Sequence, residues 1–147
     1  MRIADVLPLT PLQQGLLFHA STAQGGDDVY AAQLAITVTG ALDPHRLRDA
    51  LHTVVTRHPN VAARFSRQFD QPVQIIPADP LAPWRYVELD AGASDIDVDE
   101  QVQRVCAAER AAVCDIDDQP AFRAALIRIS GDRHRFVLTN QIGRAHV

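Results

Sequence analysis

The stretch that decides the fold reads RHRFVLTN and covers residues 133–140. Its centre, FVL, is a short apolar run with a β-branched residue, and the turn Ser130-Gly131-Asp132 before it is typical of a hairpin. The pattern predicts a β-strand that ends on two polar residues, Thr139 and Asn140. Because α/β folds commonly place reacting groups at the carboxyl ends of strands, we expect any chemistry to begin where this strand ends.

The residues after the strand, QIGRAHV at 141–147, show neither strand alternation nor a helical period. They can be interpreted as a frayed terminus or as a non-native tail. The second interpretation is favoured, because residues 142–147 are what the codons ATC-GGA-AGA-GCA-CAC-GTC encode, and that DNA resembles a common short-read sequencing adapter. If the adapter begins inside codon 141, only the first base of that codon is native, and histidine codons begin with the same base. The sequence thus predicts one native unit, residues 1–140, followed by a non-native tail at 141–147.

The composition excludes several classes of protein. With 147 residues, 47% of them hydrophobic, the chain is long enough for one modest core. The net charge of -4, with both signs interspersed, gives no broad cationic face for nucleic acid. No apolar run approaches the roughly 18 to 20 residues of a membrane helix, and Asp5 and Pro8 interrupt any signal-peptide core. We therefore expect a cytoplasmic protein that binds neither nucleic acid nor membrane.

The first half of the chain predicts two helices around a strand. The capping box Thr10-Pro11-Leu12-Gln13 opens a helix. Residues 34–38 alternate as a strand that ends at Gly40. Asp43 and Pro44 then open a second helix, which presents Leu47, Leu51, Val54 and Val55 on one face until Pro59 stops it.

The second half predicts short strands, one helix and the final hairpin. Strands are expected at residues 64–67, 73–76 and 85–89, and an inner strand, apolar on both faces, at 121–129. Asp97 with Glu100 forms a cap-like helix start. The helix carries Val98, Val102, Val105 and Cys106 at helical spacing, with Glu109 and Arg110 expected to face water. Cys106 and Cys114 would lie roughly 12 Å apart along it, too far for a disulfide. This order predicts a layered α/β or α+β sandwich.

A search for a self-contained active site finds none. The sequence has no G-x-S-x-G, H-E-x-x-H, C-x-x-C or G-x-G-x-x-G pattern. His45 and His52 could share one helix face, but we expect them to be solvated rather than to bind metal. His58, which ends a helix, is expected to cap the last carbonyls or to favour the negative end of the helix dipole. The acidic run Asp115, Asp117 and Asp118 lacks the spacing of a calcium loop, so no metal or cofactor site is predicted.

Several segments taken together resemble the condensation domain of nonribosomal peptide synthetases. DVLPLTPLQQGLLFHA at 5–20 looks like the first core motif of that family, in the form often seen where the donor peptide ends in a D-residue, and RHPNVAARF at 57–65 looks like the second. WRYV at 84–87, and Asp115-Ile116-Asp117 followed by 121–129, fit the spacing between motifs. The resemblance covers residues 3–140, roughly the first third of the family's domain.

The resemblance implies the chloramphenicol-acetyltransferase-like fold, in which two sandwiched lobes enclose a tunnel. This chain would form the first lobe, truncated before the second. The complete enzyme would make an amide bond between an acyl or peptidyl thioester and the amine of an aminoacyl thioester. Both substrates would hang on phosphopantetheine arms of upstream and downstream peptidyl carrier domains, beside an adenylation domain. No cofactor would bind to the lobe directly.

The family's third motif, H-H-x-x-x-D-G, would begin at residue 141, where this chain has Gln141. The second histidine of the motif, which the resemblance implies to orient or deprotonate the attacking amine, is absent, so the chain as written is expected to be inactive. Gln13, Arg57 and His58 would then support the lobe rather than react. Ala62 occupies the place of an arginine that many members pair with the motif's aspartate.

Two alternatives remain open. An epimerization domain of the same superfamily would use the same histidine motif on one carrier-bound residue. The sequence of residues 7–19, however, favours a condensation domain. A non-catalytic carrier-docking lobe would be soluble and monodisperse, whereas a severed lobe should aggregate through the apolar face that its partner covers.

Overall fold

The computed structural model describes residues 3–9, 11, 31–66, 73–89, 94–114, 120 and 122–141. Its elements, in chain order, are β1 (Ile3–Pro8), β2 (Ala31–Thr39), α1 (Pro44–Arg57), a 3₁₀ turn (Pro59–Ala62), β3 (Arg64–Ser66), β4 (Val73–Pro77), β5 (Trp84–Glu88), α2 (Asp95–Cys114), β6 (Phe122–Ser130) and β7 (Arg133–Gln141). The strands form a three-stranded sheet, β1-β4-β3, and a four-stranded sheet, β2-β7-β6-β5. The predicted mixture of helices and sheet in layers is confirmed.

The predicted hairpin at the end of the sequence is the centre of the four-stranded sheet. β6 and β7 pair antiparallel, and β6 also pairs with β5 in parallel, so β6 is an inner strand as expected. Four consecutive β6 residues, Ala124 to Ile127, are fully buried because both faces of the strand are covered. β7 runs one residue beyond its predicted end, to Gln141, which lies opposite Ala31 of β2.

β2 is longer than predicted and ends at the expected glycine. The whole of β2 pairs with β7 in a regular antiparallel register. Gly40 has a φ of 106°, a conformation that only glycine adopts without strain, and its N–H donates to the Asp132 carbonyl at 2.8 Å. The turn after β2 is therefore tied directly to the turn between β6 and β7.

α1 has the predicted start and stop. Asp43 is the N-cap, since its Oδ1 accepts hydrogen bonds from the backbone N–H groups of His45 and Arg46 at 3.0 and 3.4 Å. Its predicted apolar face is partly wrong: Val55 is fully buried, but Val54 is 52% exposed. The buried face of α1 is therefore narrower than the apolar face that the sequence predicts.

The cap of α2 lies three residues before the predicted one, because Ser94 and not Asp97 precedes the first helical residue, Asp95. The Ser94 Oγ accepts from the Asp97 N–H at 3.2 Å and donates to the Asp97 Oδ2 at 2.9 Å. Asp97 is thus the reciprocal partner of the cap and not the cap itself.

The main core lies between α2 and one face of the four-stranded sheet. Its fully buried members are Val102, Cys106, Ala125, Ile127 and Val137, with Leu89, Val98 and Val105 packed against them. The predicted apolar spacing of α2 is confirmed. Burying a valine or isoleucine side chain contributes about 1.5–3 kcal/mol, so Val102, Ile127 and Val137 hold the helix on the sheet.

β1 was not expected from the sequence, which offered only a helix start in that region. Most of its side chains are exposed, so the strand lacks the alternation of buried and exposed residues by which a strand is predicted from sequence. Pro11 is helical, whereas the rest of the predicted first helix, including Gln13, lies outside the described residues, as does the turn at 70–72. None of the helices in the described ranges combines the length and the hydropathy required to cross a bilayer.

Candidate functional site at the end of strand β7

The carboxyl end of β7 carries buried polar side chains, at the place where the sequence predicted chemistry to begin. Thr139 is fully buried and Gln141 is 2% exposed. Both belong to the face of the sheet that packs on α2, since side chains alternate along a strand and Val137 lies in the core beneath α2. Within the described part of the chain, the Gln141 Oε1 has no hydrogen-bond partner. The strand end is therefore polar, enclosed and not fully satisfied.

Gln33 of β2 links three elements beside this strand end. Its Nε2 donates to the Cys106 carbonyl of α2 at 2.8 Å and to the Thr139 Oγ1 of β7 at 3.0 Å. Its Oε1 accepts from an Arg110 guanidinium nitrogen at 2.6 Å. Both amide donors and the acceptor are thus used, which fixes the start of β2 against α2 and β7.

Glu109 is a fully buried carboxylate in the same region, which corrects the expectation that Glu109 and Arg110 face water. Arg123 of β6 donates from Nε to the Glu109 Oε2 at 2.7 Å, and a terminal nitrogen of Arg85 lies 3.8 Å from the same oxygen. Arg110 is itself half-buried and held by Gln33. A buried carboxylate without such partners would be strongly unfavourable, so the pairing with Arg123 is what permits Glu109 to lie inside.

Helical spacing explains why Glu109 is buried. Val102, Cys106 and Val113 are buried on α2, and Glu109 lies three positions after Cys106 and four before Val113, on the same stripe. The signal was present in the sequence, but a charged residue at such a position is normally placed in water. Glu109 is buried instead because the fold places Arg123 of β6 next to it.

These side chains form what we call the polar cluster, which consists of Gln33, Glu109, Arg110, Arg123 and Thr139. It joins the start of β2, the last turns of α2, the start of β6 and the end of β7. Its hydrogen bonds form two neighbouring groups, Gln33 with Thr139 and Arg110, and Glu109 with Arg123, and a shift of the strands would break the bonds of both groups. The polar cluster therefore fixes the end of β7 against β2 and the start of β6 against α2.

The polar cluster supplies support rather than reactivity. Burial raises the pKa of the Cys106 thiol, an effect only partly offset by the nearby positive charges of Arg110 and Arg135. A thiol of this kind stays protonated near neutral pH and is a poor nucleophile. Among the described residues the structure shows no group of three or more His, Cys, Asp or Glu side chains that could hold a metal.

The other residues singled out by the sequence lie elsewhere in the fold or fall outside the described residues. Arg57 and His58, at the end of α1, have exposed side chains. The backbone N–H of His58 donates to the carbonyls of Val54 and Val55 at 3.0 and 3.2 Å, so the expected capping is made by the main chain and not by the imidazole. Gln13 and the acidic run at 115–118 fall outside the described residues. The supporting role of Gln13, Arg57 and His58 stays a prediction.

His45 and His52 both line an open groove between α1 and the segment before β5. The groove has a volume of about 620 Å³. Its walls are formed by His45, Arg48, Asp49, Leu51, His52, Leu81, Ala82, Pro83, Trp84 and Pro120. Both histidines are exposed on α1, which agrees with the prediction that they share a helix face and are solvated.

Comparisons with known proteins agree with this architecture. Residues 3–140 match the family model of the condensation domain. Bacitracin synthase 3 of Bacillus licheniformis is 29% identical over 138 residues, which cover 94% of this chain and 2% of that protein. The N-(5-amino-5-carboxypentanoyl)-L-cysteinyl-D-valine synthase of Amycolatopsis lactamdurans is 32% identical over 118 residues, which cover 80% of this chain and 3% of that protein.

Solved structures show the same fold. The starter condensation domain of rhizomide synthetase RzmA superposes with a TM-score of 0.79 at 17% identity, over 95% of this chain and 33% of that one. The first condensation domain of the calcium-dependent antibiotic synthetase gives a TM-score of 0.73 at 21% identity, over 94% of this chain and 33% of that one. The chain thus spans about a third of these solved chains and a few per cent of its curated relatives. Because the family model matches nearly its whole length, the chain belongs to the condensation-domain family.

Proposed function

We propose that this chain forms the first lobe of a condensation domain in a nonribosomal peptide synthetase. The observation that carries the proposal is the family match over residues 3–140, together with a fold similarity that covers 95% of this chain but 33% of a solved condensation domain. The complete domain would make an amide bond between a carrier-bound acyl or peptidyl thioester and a carrier-bound aminoacyl thioester. The lobe supplies the sheet from whose central strand the catalytic loop would leave.

Amide formation of this kind needs a proton acceptor for the attacking amine and donors for the developing oxyanion. In the family the acceptor is implied to come from the motif H-H-x-x-x-D-G, which would begin at residue 141. Gln141 carries an amide, which is not basic at neutral pH, and its side chain is buried. A missing general base costs about 10²–10⁴ in rate, so this chain by itself is expected to be inactive.

The substrates would reach the complete domain on partner domains. Upstream and downstream peptidyl carrier domains would present them on phosphopantetheine arms, and an adjacent adenylation domain would load the acceptor. The lobe would hold no cofactor of its own. We also propose that residues 142–147 are a non-native tail and that the natural chain has histidine at 141.

Long-read sequencing of the genomic locus across codon 141 tests the tail. We expect the frame to continue as His-His-x-x-x-Asp-Gly into a long open reading frame. A genuine stop codon directly after Val147 would overturn this part of the proposal, and the product would then be at most a binding lobe.

An amide-forming assay tests the catalytic part. The purified chain, mixed with an acyl-pantetheine thioester and an aminoacyl-pantetheine thioester, should release no amide above the uncatalysed background. Gln141→His should also be silent, because it restores only the first histidine of the motif, while the full-length parent domain should form the amide. Product from the chain alone, or none from the parent domain, would contradict the assignment.

A further inference from the structure

The side chain of Gln141 is a poor fit to the site that holds it. It is 2% exposed, and its Oε1 has no hydrogen-bond partner in the described part of the chain. A buried amide oxygen without a donor lowers the folded-to-unfolded ratio about tenfold. The residues that enclose the end of β7 would therefore suit a different side chain at position 141.

Glu109 carries a second unpaired oxygen in the same region. Its side chain is fully buried, and Arg123 and Arg85 both lie beside its Oε2, at 2.7 and 3.8 Å. Its Oε1 has no hydrogen-bond partner among the described residues, which is unfavourable for a buried carboxylate. Both unpaired oxygens are acceptors and neither can satisfy the other, so the site requires a donor.

The helix α2 and the strand β7 advance across the sheet in the same direction. Cys106 packs with Val137 in the core. Further along both elements, Glu109 bonds to Arg123, which lies opposite Thr139 in the β6–β7 register. The last turns of α2 therefore lie over the last residues of β7.

This common direction brings Glu109 next to position 141. Gln141 is the next residue after Thr139 on the face that packs on α2, about 6.6 Å further along the strand. An α-helix advances by that distance in about four residues, which is the step from Glu109 to the buried Val113. The turn between these two residues therefore covers position 141.

The charges around position 141 favour an uncharged donor there. The charged groups that face it are Glu109 and Arg110 on α2, Arg123 on β6 and Arg85 on β5. Since positive groups already outnumber negative ones, an arginine at 141 would be repelled, and an aliphatic side chain would leave the Glu109 oxygen unpaired. A neutral imidazole supplies one N–H on a compact, rigid ring.

We propose that Glu109 is a positioning residue for position 141, and that its free Oε1 accepts a hydrogen bond from the imidazole of a histidine there. The inference rests on the proposed function, which assigns histidine to position 141 of the natural chain. In the complete domain Glu109, itself held by Arg123, would fix the first residue of the loop that leaves β7.

The first test follows the imidazole in this chain, without the rest of the domain. Gln141→His, labelled with ¹⁵N in its histidines, should give one ring signal that the unmodified chain lacks, with an N–H protected from exchange. Glu109→Gln in the same variant should expose that N–H and lower the pKa of the new imidazole, because a negative charge is lost. Asn140→His is the matched control, since residue 140 lies on the opposite face of β7 and its ring should not respond to Glu109→Gln.

The second test is a double-mutant cycle measured by urea unfolding. Gln141→His should raise the folded-to-unfolded ratio about tenfold, as expected for a hydrogen bond to a charged group. In the Glu109→Gln background the same substitution should gain less than about twofold. If Glu109→Gln does not fold, the midpoint and the ring N–H protection of Gln141→His alone decide the question.

Two outcomes would overturn the proposal. One is an equal gain from Gln141→His in both backgrounds, which would mean that the imidazole packs well without bonding to Glu109. The other is a midpoint no higher than that of the unmodified chain together with an unprotected ring N–H. Neither outcome bears on the proposed function, which the genomic locus and the amide-forming assay test separately, and a stop codon after Val147 would leave these measurements unchanged.

Discussion

Removing the charge of Glu109 should destabilise the fold although Glu109 lies on a helix far from any motif. Glu109→Gln keeps the shape of the side chain but leaves the guanidinium of Arg123, 2.7 Å from the present carboxylate, facing a neutral amide. Hydrogen bonds to charged groups contribute about 1.5–3 kcal/mol, and removing one partner of a buried pair costs about 3–5 kcal/mol. Arg123 keeps 18% of its side-chain surface exposed and can be partly hydrated, so we expect a smaller loss than for a fully buried pair, about 2–3 kcal/mol.

Urea unfolding followed by circular dichroism at neutral pH measures this loss. The midpoint should fall without a change in slope, and the melting temperature should drop by roughly 4–12 °C, at about 2–4 °C per kcal/mol for a chain of this size. Glu100→Gln is the control, since Glu100 is an exposed carboxylate on the same helix and should change stability by less than about 0.5 kcal/mol.

A second comparison separates charge from packing. Glu109→Leu combined with Arg123→Met replaces the pair by apolar side chains and should recover much of the loss, as buried ion pairs often allow. If Glu109→Gln unfolds at the same urea concentration as the unmodified chain, the carboxylate contributes nothing, and its pairing with Arg123 does not hold α2 to β6.

Two further predictions concern pH and helix capping. Burial, and secondarily the positive charge of Arg128, lower the pKa of His134 below its ordinary value, so the folded state prefers the neutral imidazole. Stability should be fully present above the unfolded-state pKa of about 6.5 and should fall as pH drops below it. The pH dependence of unfolding should flatten in His134→Gln and persist in the exposed control His45→Gln, and an unchanged profile in His134→Gln would refute the assignment. Ser94→Ala should cost about 1 kcal/mol by removing the N-cap of α2, measured by thermal melting. An equal loss in Gln103→Ala, a control at an exposed position of the same helix, would show that the cap is not the cause.

Local sequence decided the elements whose causes lie within a few residues. The Ser130-Gly131-Asp132 turn marked the hairpin, Asp43 and Pro44 marked the start of α1, and Gly40 marked the end of β2. Each depends on a turn or cap that neighbouring residues complete among themselves. The resemblance in the motifs at 5–20 and 57–65 likewise identified the family before the fold was known.

Tertiary structure decided the rest, and above all the polar cluster. Gln33 and Thr139 are 106 positions apart, so no local pattern could predict their hydrogen bond. β1 was missed because it forms by pairing with the distant β4 and buries little of its own surface.

Glu109 shows the physical reason most clearly. Its place on the apolar stripe of α2 could be read from the sequence, but a buried carboxylate is stable only beside a partner, and the partner is an arginine on another element. The sequence determined which residues could form strands and helices. Which of their polar side chains lie inside, and whether each finds a partner there, was decided only when the sheet brought β2, β6 and β7 together beneath α2.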